Sequence, residues 1–169
     1  MLEIKAAKTG DVKSIAALYV YNHRTTYKNL LPAEYFEKLT EAYAEKKWST
    51  YIADKNNRVW VAEEDGDFLG FAASTVDDEL SDVWYLDSLH VCENAQGKGV
   101  GTALIKEVGR YAYENGYNKM SICIVKGNDN AGKLYRKLGA RHYKDFENKT
   151  MSRSEKLLWE DLKIFSENL

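Results

Sequence analysis

The chain of 169 residues has one proline, two cysteines and no excess of positive charge. Each scarcity excludes something. Cys92 and Cys123 are far apart and form no CxxC metal or redox pair, so both are expected to be small buried hydrophobes and no metal is expected. With 24 Lys and Arg against 26 Asp and Glu the net charge is −2, which argues against a nucleic-acid partner. No apolar run approaches the ~20 residues of a membrane span. The opening Met-Leu-Glu-Ile-Lys has no signal-peptide core, so no membrane partner and a cytoplasmic location are expected. Linkers, repeats and low-complexity stretches are also missing. What is present suits one soluble domain over 1–169: hydrophobic residues are 44% and charged residues 30%. A chain of this size buries roughly 70% of its unfolded surface and needs no disulfide or metal to fold.

Leu2 and Ile4 alternate with charge, as a short strand does, and Thr9-Gly10-Asp11 supplies a helix start. Val12, Ile15, Ala16, Tyr19 and Val20 follow at helical spacing. Pro32 stands where a second helix can begin, and Tyr35, Phe36, Leu39 and Tyr43 predict one face of it from Ala33 toward Lys47. Val59–Ala62 and Phe68–Ala72 flank Asp65-Gly66, a strong hairpin signal because both central turn residues need positive φ. Val83 to Val91 reads as a strand, and Gly99 to Asn115 as a helix with Val100, Leu104, Val108 and Tyr111 inside. Met120 to Val125 is another strand. Ala131, Leu134, Tyr135 and Leu138 mark a short helix that Gly139 stops. Strands are expected around Arg141 to Asp145 and Lys156 to Ile164. The order predicts a mixed α/β sheet with helices on its faces.

The most informative stretch is Gln96-Gly97-Lys98-Gly99-Val100-Gly101-Thr102, between the strand ending at Val91 and the helix of Leu104. Glycines let the backbone turn sharply and approach a ligand. The first amides of a helix lack internal partners and carry partial positive charge, so together they suit a pyrophosphate. A Walker loop requires Gly-x-x-x-x-Gly-Lys-Ser/Thr, which is absent. A dinucleotide loop requires Gly-x-Gly-x-x-Gly, and Thr102 stands where the third glycine belongs. What remains is Gln-x-x-Gly-x-Gly.

That pattern resembles the coenzyme A pyrophosphate loop of the GCN5-related N-acetyltransferase (GNAT) family. Leu86–Val91 resembles the strand before that loop. Asn128 to Gly139, with Ala131, Leu134-Tyr135, Arg136 and Gly139, resembles the family's second signature. Ile4 to Asp11 and Val61 to Phe71 are similar to its opening strand and helix and its central hairpin. The resemblance spans nearly the whole chain. It implies an α/β (α+β) fold: a mixed, mostly antiparallel sheet of six to seven strands flanked by about four helices.

The resemblance also implies site residues. Amides of Gly97, Lys98, Gly99, Val100, Gly101 and Thr102 would hold the pyrophosphate, with Gln96 fixing the loop and Lys98 adding a cation. Leu89 and Val91 would offer backbone groups to the pantetheine arm, and the next strand would splay away to leave a wedge for the thioester. Asn128 and Ala131 match positions against the coenzyme arm. Tyr135 matches the family's tyrosine near the sulfur, where a phenol with an ordinary pKa of about 10 can protonate a leaving thiolate. The usual bases are missing: Tyr85 and Cys123 stand at two positions where branches of the family carry glutamate. Asp87, on the same strand face as Tyr85, is the best carboxylate available, with Tyr85, His90 or a water chain as the other choices. The segment His23 to Leu31 joins the first two helices, where the family builds part of the acceptor site, and Tyr21, Tyr27, Tyr35 and Trp84 either line that pocket or fill the core. The implied activity is acetyl-CoA-dependent acetylation of a primary amine of a small molecule or peptide, with acetyl-CoA as co-substrate. Acetylation of a protein N-terminus of the ribosomal-protein type, or acyl-CoA binding without turnover, are the alternatives. A homodimer is compatible with either.

Overall fold

The computed structural model describes residues 1–149 and 152–166. One seven-stranded sheet organises them, in the order β1-β2-β3-β4-β5-β7-β6. The strands are β1 (Leu2–Ala6), β2 (Arg58–Glu64), β3 (Asp67–Val76), β4 (Val83–Val91), β5 (Lys119–Val125), β6 (Arg141–Glu147) and β7 (Arg153–Trp159). All neighbours are antiparallel except β4 and β5. The helices are α1 (Val12–Thr26), α2 (Ala33–Glu37), α3 (Glu41–Ala53), α4 (Val100–Glu114) and α5 (Asp129–Lys137). The fold class is as the sequence implies, with seven strands and five α-helices rather than about four.

Local chemistry explains the elements that position the site. Asp65 and Gly66 both take positive φ, 51° and 85°, and close the β2–β3 hairpin as expected. The helix expected from Ala33 to Lys47 is two helices. Thr40 takes an extended conformation and its hydroxyl accepts the Tyr43 N–H at 3.1 Å, which starts α3 afresh. The new phase buries Ala44 and Trp48 and leaves Tyr43 half exposed, against its expected place on the inner stripe. The last strand also differs from expectation: β7 ends at Trp159, and Leu162–Phe165 form a 3-10 turn. Gly139, at φ 107°, stops α5 while the Ala140 N–H returns to the Tyr135 carbonyl at 3.0 Å.

The sheet separates two cores. On one face α4 buries Leu104, Ile105 and Val108 against Leu86, Met120, Leu157 and Trp159. On the other, α1 and α3 bury Ile15, Ala16 and Trp48 against Val61, Phe71 and Ala73. Fully burying a Val, Leu, Ile, Phe or Met side chain contributes about 1.5–3 kcal/mol. Gly70 in β3 is required by close approach: a Cβ there would stand 2.5 Å from the His90 carbonyl oxygen of β4. No helix among the described residues is long and apolar enough to cross a membrane.

Candidate functional site

β4 runs beside β3 for its whole length, but beside β5 only from Val83 to Leu86, opposite Lys119 to Ile122. A bulge contributes to this divergence. Ala73 pairs with Ser88 but Ser74 pairs with Leu86, so Asp87 is the extra residue and the strand's facing shifts there. Beyond it, β5 continues along β7 instead. The expected splay is therefore present, and a cleft of about 550 Å³ occupies it.

Hydrogen-bond alternation shows what β4 presents to the cleft. The Cys92 N–H bonds to the Leu69 carbonyl at 2.8 Å. In an antiparallel pair the next positions alternate, so Val91 and Leu89, opposite Gly70 and Ala72, turn their N–H and C=O groups away from β3. With β5 gone, these groups face the slot. The Val91 carbonyl is met by the Gln96 side-chain amide at 3.3 Å and the Asn22 amide at 3.4 Å. Gln96 thereby ties the glycine turn to the end of β4.

The turn closes one end of the cleft. Gly97 and Gly99 take φ of 77° and 85°, and a Cβ at either would meet nothing within 4 Å. The first bond inside α4 runs from the Ala103 N–H to the Gly99 carbonyl at 3.0 Å. Val100, Gly101 and Thr102 thus have no amide partner within the helix, which leaves an anion cradle at its N-terminus. Gly101 lies inside, where a Cβ would be 3.4 Å from Leu134 Cδ2 of α5. Gln96, Gly97, Gly99, Val100, Gly101 and Thr102 all line the cleft, whereas Lys98 is exposed beside it.

The opposite wall is α5. Asn128, Ala131, Leu134 and Tyr135 line the cleft. Asn128 opens α5 with its carbonyl, which accepts the Gly132 N–H at 3.3 Å, and its side chain makes no cap bond. That side chain is left for the cleft and for the Tyr27 hydroxyl. Tyr135 is 5% exposed, packs edge-on against Trp159, and has its pKa raised, first by burial and then by the nearby Tyr27. It stays a neutral phenol across the working pH range.

Asp87 lines the third wall. Burial raises its carboxyl pKa, opposed by Lys47 and by the Tyr51 hydroxyl. The Tyr51 hydroxyl is itself buried without a hydrogen-bond partner of ordinary geometry. Two imidazoles also line the cleft, His23 and His90, with ring centroids 5.2 Å apart. Burial pushes His23 down to about 4 and His90 down to about 3. The sequence names His90 as one choice of base and places His23 in the acceptor segment, but gives it no part in proton transfer. Its signal is weak, since only folding brings the end of α1 over β4.

Other aromatic and thiol expectations divide. Tyr27 lines the cleft, and Tyr35 packs near His23. Trp84 lies in the core beneath α4, its ring tilted against Tyr111 and Tyr117, and Tyr21 is exposed with its hydroxyl donating to Glu93 at 2.6 Å. The cysteines are half-buried rather than fully buried. Cys123 lines both the main cleft and a second cavity of about 190 Å³, formed with Tyr85, Phe146 and the ion-paired group Asp77, Glu79, Lys144 and Lys156. Among the described residues, His142, Asp145 and Glu155 are the one group close enough to share a metal, but Lys126 and Arg136 already pair with its carboxylates.

Comparison with known proteins fits this geometry. The family model described as "Acetyltransferase (GNAT) family" matches residues 19–140. The uncharacterized N-acetyltransferase YuaI of Bacillus subtilis (strain 168) is 28% identical over 137 residues, spanning 76% of this chain and 74% of YuaI. The PaiA N-acetyltransferase of Thermoplasma acidophilum, solved in complex with coenzyme A, superposes with a TM-score of 0.76 at 17% identity, over 92% of this chain and 98% of that one. A spermidine N-acetyltransferase SpeG variant from Vibrio cholerae gives 0.70 at 17% identity, over 93% and 92%. These two structural likenesses speak to the fold.

Proposed function

The chain belongs to the acetyltransferase (GNAT) family, and from that premise we propose that it transfers the acetyl group of acetyl-CoA to a primary amine of a small molecule or peptide by direct attack on the thioester. The observation that carries this reading is the divergence of β5 from β4 after Leu86, which leaves the backbone groups of Leu89 and the N–H of Val91 open beside the N-terminus of α4. The residues fit the coenzyme. The turn is open on its outer side at Gly97 and Gly99, three helix-end amides lack partners, and the slot offers strand-like partners to an amide-bearing arm. Acetyl-CoA supplies the activated acetyl group.

The chain's own residues do the rest. Gly97 to Thr102 hold the pyrophosphate, with Lys98 adding charge at the rim. Leu89 and Val91 pair with the arm, and Asn128 and Ala131 hold its other side. Tyr135, kept protonated by burial, donates its proton to the departing sulfur. Asp87 faces the acceptor side, where its carboxylate draws in the ammonium and takes the first proton. The acceptor approaches from the side of the second cavity, past Tyr85 and Cys123. Catalysis on this reading is orientation plus proton transfer, with no acyl-enzyme.

Calorimetry with coenzyme A is the first test, with a micromolar dissociation constant expected, roughly −8 kcal/mol. No binding by the folded protein would sink the reading. Thiol release from acetyl-CoA across a panel of amines and peptides then separates the alternatives. Turnover of peptide N-termini alone would favour the ribosomal-protein type, and binding without any turnover a sensor.

A further inference from the structure

Acetylating an ammonium removes two protons from its nitrogen, because R–NH3+ becomes R–NH–C(O)CH3. In the reading above, Asp87 receives the first, which frees the lone pair. The second leaves as the N–C bond forms and the C–S bond breaks. The roles assigned so far provide a donor for the sulfur, Tyr135, but no acceptor for the second proton and no group that recharges Tyr135.

His23 lies in the cleft wall near the last turn of α1, and its Nδ1 is 2.8 Å from the Tyr19 carbonyl oxygen. A carbonyl only accepts, so Nδ1 carries the hydrogen and the lone pair of the neutral ring is on Nε2. The ring packs among Tyr19, Tyr27, Tyr35 and His90 at centroid distances of 4.1, 5.0, 6.1 and 5.2 Å. The charged group that α3 turns toward it is Lys47, a cation. The Tyr19 carbonyl favours the imidazolium, but burial and the Lys47 cation outweigh it, so His23 rests as the neutral ring. Tyr27 stands between His23 and Tyr135: its ring is beside His23, its hydroxyl partners Asn128, and it lines the same cleft as Tyr135.

We propose, resting on the reading above, that His23 accepts the second proton at Nε2 as the N–C bond forms, and that Tyr27 passes a proton on to Tyr135 to replace the one given to sulfur. The count closes. One proton leaves through Asp87 to solvent; the other travels by His23, Tyr27 and Tyr135 to the coenzyme thiol, and all three side chains end as they began. No oxidant or metal is required. A weak base suffices for this step, because a nitrogen turning into an amide is a far stronger acid than an ammonium. A base that is neutral throughout the working pH range is always ready for it.

Two measurements test this. The first needs no turnover: nitrogen NMR of histidine-labelled protein, free and with coenzyme A. His23 should be neutral with hydrogen on Nδ1 from pH 8 to about 5. An imidazolium at pH 7, or hydrogen on Nε2, overturns the proposal. The second uses acetyl-CoA with spermidine and a lysine-containing peptide as acceptors. His23→Asn keeps a donor for the Tyr19 carbonyl and removes the lone pair. Its kcat should fall on the order of 100-fold, with coenzyme affinity and melting temperature unchanged, and 4-methylimidazole should restore part of the rate of His23→Ala. A His23→Asn enzyme within twofold of wild-type kcat overturns it. Should His23→Asn melt early, Tyr27→Phe decides: a fall of about tenfold or more supports the chain, and unchanged kcat breaks it. Failure of the underlying reading looks different, as loss of coenzyme binding by the wild type.

Discussion

The two edges of β4 differ in kind. Toward β3 the strand is paired from Trp84 to Val91, in a meander whose hairpin is closed by Asp65-Gly66. Toward β5 it is paired only from Val83 to Leu86. Each backbone hydrogen bond withheld costs about 0.5–1.5 kcal/mol of stability, a cost that packing in the two cores on either side of the sheet must offset. The chemistry proposed above collects along that edge. The paired edge carries the packing, and the unpaired edge carries groups with unused hydrogen-bonding capacity, a glycine turn with no steric cover, and titratable side chains out of water.

The sharpest way to break this contrast is to remove the turn. In the double variant Gly97→Val, Gly99→Val, side chains would sit at φ of 77° and 85°, so the loop must rearrange and its amides lose their aim. Coenzyme A affinity should fall by about 1,000-fold, some 4 kcal/mol, while circular dichroism still reports a folded sheet. Retained affinity in that folded variant would remove the turn from the site.

Acid should distinguish the same edge. His23 and His90 have folded pKa values of about 4 and about 3, below the ordinary value of about 6.5. Unfolding lets them bind protons below pH 6.5 that the folded state refuses. Their contribution is complete above pH 6.5 and is lost as pH falls toward 4 and 3. Between pH 7.5 and 5 the loss is about 2 kcal/mol for each ring. Asp87, whose pKa burial raises, works in the opposite direction, and the depressed carboxylates of Asp77, Glu79, Asp145 and Glu155 act at still lower pH. Urea titrations of wild type and His90→Phe at the two pH values measure this. An equal acid loss in both proteins would mean that His90 does not contribute.

Tyr135→Phe tests the acid at the wedge. The ring keeps its contact with Trp159, so stability and coenzyme affinity should change little, while kcat falls on the order of 100-fold. The loss should shrink with an acyl donor whose thiol is more acidic. Near-normal turnover with acetyl-CoA would leave Tyr135 as a packed core residue.

Much of this contrast was legible in the residues, and its gaps have physical causes. Asp65-Gly66 announces its turn because few residues tolerate positive φ. The Gln96 to Thr102 turn announces itself for the same reason. The break between α2 and α3 was not legible: Leu39 and Tyr43 fit one helical stripe, and only the Thr40 hydroxyl capping Tyr43 separates them. The bulge at Asp87 leaves no trace in a strand where polar and apolar residues do not alternate cleanly. Trp84 stays open between pocket and core in the sequence because aromatic residues suit either, and the core beneath α4 takes it. His23 is legible only as the start of the acceptor segment, because its partner is a backbone carbonyl of its own helix, which no side-chain pattern reveals.

The smallest effect belongs to the paired edge and tests whether the two edges are independent. Gly66 sits at the tip of the β2–β3 hairpin with φ of 85°, and a Cβ there would meet nothing within 4 Å. Gly66→Ala therefore creates no clash and acts only through backbone conformation. An alanine at that φ should cost about 1 kcal/mol. For a chain of this size that lowers the melting temperature by about 3 °C. Strand pairing fixes β3 against β4 at Phe71 and His90, far along the hairpin from its tip, and Gly70 is where close approach matters. The strain at Gly66 should thus be absorbed locally, so coenzyme A affinity and kcat should stay within twofold of wild type at 25 °C, roughly 0.4 kcal/mol or less. A thermal melt paired with calorimetry reads both quantities on one preparation. If affinity falls together with melting temperature, the hairpin tip is coupled to the cleft through β3, and the open edge of β4 depends on the closed one after all.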